Sequence, residues 1–304
     1  MSKLFHNLAS LGADGIGQIL DAADRLKATR GSKGALPLAG KQVALVFEKA
    51  STRTRVSLEV AVSELGGHPI VLSSSGSQMG RGEPIADTAR VLGRMAHAIA
   101  FRTSDESRLL AMSEYAKIPV LNALTDQSHP MQLLADLQTV RAEFGRINDL
   151  VYAWIGDGNN MAQSWIEAAG LCGFKLRLAC PAGYDPAPLW LEAARSKGAD
   201  VSVVRSPIEA VAGAHVISTD VFASMGQETQ ADSRIAAFAG FQVNQELLSR
   251  AQPDAIVLHC LPAHRGEEIT EDVLEGPQSR VWDEAEARLH TAKALLLWAF
   301  DVRQ

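Results

Sequence analysis

The chain has little of what marks a secreted, membrane or nucleic-acid-binding protein. Of its 304 residues only Cys172, Cys180 and Cys260 are cysteines. The number is odd and no two have metal-ligand spacing, which argues against a disulfide framework or a zinc cluster and fits a reducing cytoplasm. No stretch approaches the roughly 18–20 apolar residues of a membrane span. Met1-Ser2-Lys3-Leu4-Phe5 leads into no apolar leader segment, so neither membrane insertion nor export is expected. The formal charge is only −6 and no basic run stands out, which argues against nucleic acid and anionic membrane surfaces as partners. Low-complexity tracts and fixed-period repeats are also missing. Apolar residues, in contrast, make up 47% of the chain, enough for a substantial core and, at this length, for two domains.

Short apolar runs at residues 43–47, 69–72, 98–101 and 120–123 read as buried strands, with helical stretches after Ser51, Glu83 and Ser104. Ahead of them Ile16, Ile19, Leu20, Ala23 and Leu26 form one face of a helix for which Asp14 is the expected cap. Residues 131–144 read as a long helix stopped by Gly145 and bridging two domains. Strands near 151–155, 176–180, 201–204, 215–218 and 255–259 then alternate with helices after Asn160, Pro186 and Asn244. A last helical run, 284–300, is expected to pack back on the first domain. Such alternation predicts an α/β protein with two doubly wound parallel-sheet domains joined by interdomain helices. The expected domains are residues 1–145 with 285–304, and residues 146–284.

Ligands of doubly wound sheets bind at the carboxyl ends of the strands, so the chemistry is sought there. The first strand runs into Ser51-Thr52-Arg53-Thr54-Arg55. With Ser51 as N-cap, the free amides of a helix would face an anion, and Arg53 or Arg55 would add a bidentate clamp. Arg102-Thr103 follows the third strand and Asp126-Gln127-Ser128-His129-Pro130-Met131-Gln132 the fourth. In the second half the matching positions hold Asp157-Gly158-Asn159-Asn160, Asp220 with Ser224-Met225-Gly226, and His259-Cys260-Leu261-Pro262. Cations and hydroxyls in the first set suit an anionic substrate, phosphate above all. Asn, Asp, Ser and a thiol in the second suit a zwitterion or cation, with reaction expected across a cleft.

Each residue also has a plainer reading. Ser51 can be a simple helix cap, His129 a satisfied structural histidine rather than a donor to an oxyanion, and Cys260 a small buried hydrophobe. His259 and Cys260, as strand neighbours, point to opposite faces and are poorly placed as a nucleophilic pair. The Gly/Ser-rich stretch 73–82 reads as a flexible connector, or Gln78 in it reaches a ligand in a neighbouring subunit. Asp220 caps a turn or binds an amine; Arg288 is a solvated charge or a ligand contact. Gly156-Asp157-Gly158 opens like a dinucleotide loop, but Met161 replaces the third glycine and no ribose-binding acid follows, which argues against nicotinamide.

Taken together, Ser51–Arg55, Gly82-Glu83-Pro84-Ile85-Ala86-Asp87-Thr88-Ala89-Arg90, His129–Gln132, Asp157-Gly158-Asn159-Asn160-Met161, Ser224-Met225-Gly226 and His259–Pro262 resemble the carbamoyltransferases, in the form that acts on ornithine. The motifs run in the family order over nearly the whole chain. The resemblance implies that Ser51, Thr52, Arg53, Thr54, Arg102, His129 and Gln132 hold carbamoyl phosphate, with Gln78 serving a neighbour's site in a homotrimer or a multiple of trimers. It further implies that Asn160, Asp220, Ser224 and Met225 bind ornithine, and that Cys260, Leu261 and Arg288 complete the site. Arg102, His129, Asp220 and Cys260 are the implied catalytic residues, without metal or cofactor. Two departures from the family pattern are Met131, where Cys or Ile is common, and Ala287 before Arg288 in place of Asn. Acetylornithine or putrescine as acceptor, the aspartate enzyme, a nucleotide-dependent dehydrogenase and a silent binding subunit are the rival readings.

Overall fold

The alternating strands and helices build two parallel sheets, one in each of two compact units. The computed structural model describes residues 3–32, 34–223 and 231–302. One unit comprises Met1–Gln138 and Glu286–Gln304, the other Thr139–Ala285.

The first unit contains β1 (Leu4–Phe5), α1 (Gly12–Ala28), β2 (Gln42–Phe47), α2 (Arg53–Glu64), β3 (His68–Ser73), α3 (Ile85–Met95), β4 (Ala98–Arg102), α4 (Glu106–Ala116) and β5 (Val120–Leu124). Its sheet has the order β1-β5-β4-β2-β3 and every pairing is parallel. The winding direction reverses between β2 and β4, and a crevice opens at such a switch point, beyond the strand ends. Helix α5 (Pro130–Phe144) carries the chain into the second unit, with Gly145 in the left-handed region (φ 71°) ending it.

In the second unit come β6 (Val151–Ile155), α6 (Asn160–Cys172), β7 (Lys175–Ala179), α7 (Pro188–Ser196), β8 (Val201–Val204), α8 (Pro207–Val211), β9 (Val216–Thr219), α9 (Ala231–Ala237), α10 (Gln245–Leu248), β10 (Ile256–His259) and α11 (Glu271–Leu274). The order β10-β9-β6-β7-β8 is again wholly parallel, with its switch between β6 and β9. The last helix, α12 (Val281–Ala299), returns the chain to the first unit. There Phe5 meets Trp298 edge to face and Lys3 donates to the Trp298 carbonyl.

Strands flanked on both sides are buried on both faces, which is why β2, β4 and β6 read as largely apolar runs. One core packs Val46, Ile99, Phe101, Leu109 and Met112; another packs Ile155, Ile217, Phe222, Phe238 and Val257. Among the described residues no helix is long and apolar enough to cross a membrane.

Three expectations from the sequence are corrected. Thr52, not Ser51, occupies the cap position of α2, because the Thr52 backbone is already helical and its carbonyl accepts the first helical bond from Val56 at 2.9 Å. Asp14 lies inside the first turn of α1, after Leu11 at the cap, where its charge complements the helix dipole. The 73–82 connector is wound into two 3-10 turns, Ser74–Gly76 and Gln78–Arg81, pinned by the buried Met79.

Helices α3 and α4 approach closely at Gly93, where an added Cβ would lie 2.0 Å from the Ala116 carbonyl oxygen. Gly93→Ala is therefore expected to destabilise the fold by about 3 kcal/mol through overpacking; an unchanged thermal midpoint would contradict this contact.

Ion pairs join α12 to α1 and α2. Lys293 pairs with Glu64, which also accepts from Arg30 at 3.1 Å, and Glu286 accepts from His290 at 3.3 Å. Burial alone would raise the Glu64 carboxyl, but bonds from Lys293 and Arg30 hold it below its usual range. The His290 bond does the same for Glu286. Carboxyls depressed in the folded state contribute stability above their unfolded pKa of about 4.3 and lose it as pH falls through the folded value. The thermal midpoint is thus expected to drop below about pH 4.5, and Glu64→Gln to flatten that drop. A Gln variant with the full acid sensitivity would exclude Glu64 as a source.

Candidate functional site

At the switch point of the first sheet, the segment after β2 enters α2 and places Thr54 in the interior, 1% exposed. Arg102, the last residue of β4, directs NH1 to within 3.5 Å of the Thr54 hydroxyl. Arg288 of α12 donates to the same hydroxyl and, at 2.8 Å, to Gln132 Oε1 on α5. His129 stands just before Pro130, and proline suits a first helical position because it lacks the amide hydrogen that would go unused there. Burial pushes the His129 imidazole well below its ordinary pKa, and Arg288, Arg102 and Arg53 push it the same way. The ring is accordingly neutral near pH 7, set among three guanidinium groups: a fixed dipole in a cationic pocket.

These contacts bring together Arg53, Thr54, Arg102, His129, Gln132 and Arg288. Ser51 and Thr52 lie at the entrance to α2, half-buried and exposed respectively. Arg55 is not part of the group: with the helix starting at Arg53 it faces outward and pairs with Glu59 at 2.6 Å. Gln78 sits exposed on its 3-10 turn, outside this set of contacts. Arg288, which the residues alone left as a solvated charge or a ligand contact, is 5% exposed.

Glu48 was not legible as a site residue. Its carboxylate accepts from Thr103 Oγ1 and, at 3.0 Å, from Arg108 Nε, while its amide donates to the Arg102 carbonyl at 2.9 Å. It thereby ties the ends of β2 and β4 to α4. Its position one residue beyond β2 was the available signal. The loop leading to His129 is fastened likewise: Asn122 Nδ2 donates to Ser128 Oγ at 3.1 Å, and the Ser128 amide to Thr125 Oγ1 at 3.2 Å.

The second sheet's switch point gathers a different chemistry. Asp220, directly after β9 and 8% exposed, accepts at Oδ1 from the Val221 amide (2.8 Å) and the Cys260 thiol (3.2 Å). Its Oδ2 accepts from Asn159 Nδ2 at 3.1 Å. Asn159 also caps α6 through its own Oδ1, which receives the amides of Met161 and Ala162; Asn160, half-buried, is the first residue of that helix. Gly158 lets this turn approach the next loop: a Cβ there would lie 2.1 Å from the Pro186 nitrogen. Asp157 pairs with Arg234, which is 5% exposed, donates to the Phe222 carbonyl and lies 4.8 Å from the centroid of Tyr184. Burial raises the Asp157 carboxyl, partly offset by Arg234. Arg234 went unrecognised in the sequence, where it follows the polar pair Asp232-Ser233 and only the apolar run after it, residues 235–239, sets it off.

Asp220, His259 and Cys260 bring potential metal-ligand atoms within 4.8 Å of one another. Both ring nitrogens of His259 are already engaged, however: Nδ1 accepts the Leu261 amide at 2.9 Å and Nε2 bonds the buried Glu268 at 2.9 Å. His259 is thus a structural post for the turn at Leu261, whose φ of 57° is unusual for a branched residue. Ser224 and Met225 lie outside the described residues.

A cationic pocket in one unit and a carboxylate-centred pocket in the other match two family models. One, described as the carbamoyl-P binding domain of aspartate/ornithine carbamoyltransferase, matches residues 3–142; the other, its Asp/Orn binding domain, matches residues 148–299. An ornithine carbamoyltransferase of Rhizorhabdus wittichii is 50% identical, with 98% of each chain covered. The solved structure of the ornithine carbamoyltransferase from Pyrococcus furiosus superimposes with a TM-score of 0.93 at 44% identity, covering 97% of this chain and 96% of that one. That from Thermus thermophilus gives 0.90 at 43% identity, covering 98% and 99%. With both halves matched and identity this high over almost its full length, the chain belongs to the aspartate/ornithine carbamoyltransferase family.

Proposed function

We propose that the protein transfers the carbamoyl group of carbamoyl phosphate to the δ-amino group of L-ornithine, giving L-citrulline and phosphate. The observation that carries ornithine over aspartate is the charge of the second pocket. Asp220 stands there as a hydrogen-bonded carboxylate whose partners are Asn159, Val221 and Cys260, and the guanidinium of Arg234 in the same unit is already paired with Asp157. A carboxylate of that kind attracts an ammonium group and repels the second carboxylate of aspartate.

In this reading Ser51, Thr52, Arg53, Arg288 and the amides opening α2 grip the phosphate, with Gln132 holding the carbamoyl end. Asp220 takes the α-ammonium of ornithine, and Asn160, Ser224 and Met225 take its carboxylate side. The unprotonated δ-amine attacks the carbamoyl carbon, and negative charge develops on the carbonyl oxygen. Thr54, Arg102 and neutral His129 stabilise that oxyanion; because His129 is neutral, it contributes a directed dipole without neutralising the phosphate. Collapse expels phosphate. An alkylamine has a pKa of about 10.4, so the ammonium loses one proton before attack and the nitrogen a second once the C–N bond is made, with the leaving phosphate and Cys260 acting with Asp220 as the acceptors. Cys260 and Leu261 complete the donor's surroundings. We further propose a homotrimer, with Gln78 reaching a neighbour's site. Val56 and Met95, exposed by 55% and 70% on the same unit, supply apolar surface for such contact; a light-scattering mass of one chain would contradict it.

The test offers the purified protein carbamoyl phosphate with ornithine, acetylornithine, putrescine and aspartate in turn, measuring ureido product. Ornithine is expected to dominate. Faster product formation from acetylornithine or putrescine would reassign the acceptor.

A further inference from the structure

Gln132 and Asp136 lie one turn apart on α5, and both are buried, each 1% exposed. Gln132 Nε2 donates to Asp136 Oδ1 at 2.8 Å, and Gln132 Oε1 accepts from Arg288 NH1 at 2.8 Å. Arg288 in turn donates to the Thr54 hydroxyl. We propose that Asp136 is a positioning residue for the donor half-site: its carboxylate fixes the amide orientation of Gln132, and through it the guanidinium of Arg288. The inference rests on the reading of that pocket as the phosphate-binding half.

The reasoning is one of donors and acceptors. A side-chain amide has one accepting and one donating end, and a wrong orientation would set its NH2 against the guanidinium. An ionised carboxylate only accepts, so Asp136 claims Nε2 and leaves Oε1 facing Arg288. The chain carboxylate, amide, guanidinium is charge-assisted at both ends, and each bond polarises the next. Interposing the amide also anchors Arg288 by a neutral oxygen, so the bond that holds the guanidinium in place does not cancel its charge toward an anion. The four-residue spacing is what a helix requires for one side chain to reach back to another.

A double-mutant cycle tests this, read by the affinity for inorganic phosphate in calorimetry and by the thermal midpoint, neither of which needs turnover. Asp136→Asn, which can face Gln132 either way, is expected to weaken phosphate binding about tenfold and lower the midpoint. In a Gln132→Glu background two acceptors oppose each other. There Asp136→Asn supplies the missing donor and is expected to strengthen binding about tenfold and raise the midpoint. The reversal of sign is the diagnostic result. Electrostatics alone predicts that removing the Asp136 charge strengthens phosphate binding in both backgrounds, and a space-filling role predicts loss in both; either result overturns the proposal. Failure of the double variant to fold also overturns it, since that variant restores a complementary pair. Should the wild-type chain bind no phosphate, the reading of the pocket fails while the midpoints still decide the pairing.

Discussion

Arg102→Ala is expected to cut kcat by about 10²–10³-fold, the range for losing one oxyanion donor, with a much smaller change in KM for carbamoyl phosphate. Arg102 ends β4 at the switch point and reaches the Thr54 hydroxyl at 3.5 Å, while on the proposed reading Arg53 and Arg288 remain to hold the ground-state phosphate. An interaction made mainly in the transition state lowers kcat and kcat/KM together. Steady-state kinetics with ornithine saturating checks it. A full-strength kcat with only KM raised would show that Arg102 binds the donor and does not stabilise the oxyanion.

The second large effect is expected at Asp220. Its two carboxylate oxygens accept three donors, the Val221 amide, the Cys260 thiol and the Asn159 amide. Asp220→Asn replaces one acceptor by an NH2 group, which must oppose one of those donors and cannot pair with an α-ammonium. Losing a charge-assisted bond and leaving a buried polar group unmatched together amount to about 4 kcal/mol, or roughly 10³-fold in kcat/KM for ornithine. Phosphate affinity should stay near the wild-type value, because the residues proposed to hold the donor belong to the other unit. Loss of phosphate binding to the same extent would mean that the substitution damages the fold at large.

Much of this arrangement was legible from sequence because central parallel strands leave continuous apolar runs, and the residues directly after them fall at the ends where ligands bind. Residues 151–155 and 201–204 were read as strands with the observed bounds. The two-residue β1 was not legible, nor were α8, α9 and α11, of 5, 7 and 4 residues, since so short a segment cannot establish a period. Within the site, side-chain types at strand ends were readable but their partners were not. Arg288 meets Thr54 across 234 residues of sequence, and Arg234 meets Asp157 across 77. Which arginine of Ser51–Arg55 turns inward depends on the register of α2. A helix capped by Thr52 rather than Ser51 sends Arg55 outward to Glu59. Glu48 and Asp136 act through other residues, a role that leaves no mark in a motif.

The most direct test of carbamoyl transfer to ornithine is to follow the carbamoyl carbon itself. Carbamoyl phosphate labelled with carbon-13 is incubated with the protein and unlabelled ornithine, and the products are resolved by NMR and mass spectrometry. The account predicts citrulline labelled at the ureido carbon, with one phosphate released per citrulline formed. Phosphate release with no label in the amino acid would contradict it.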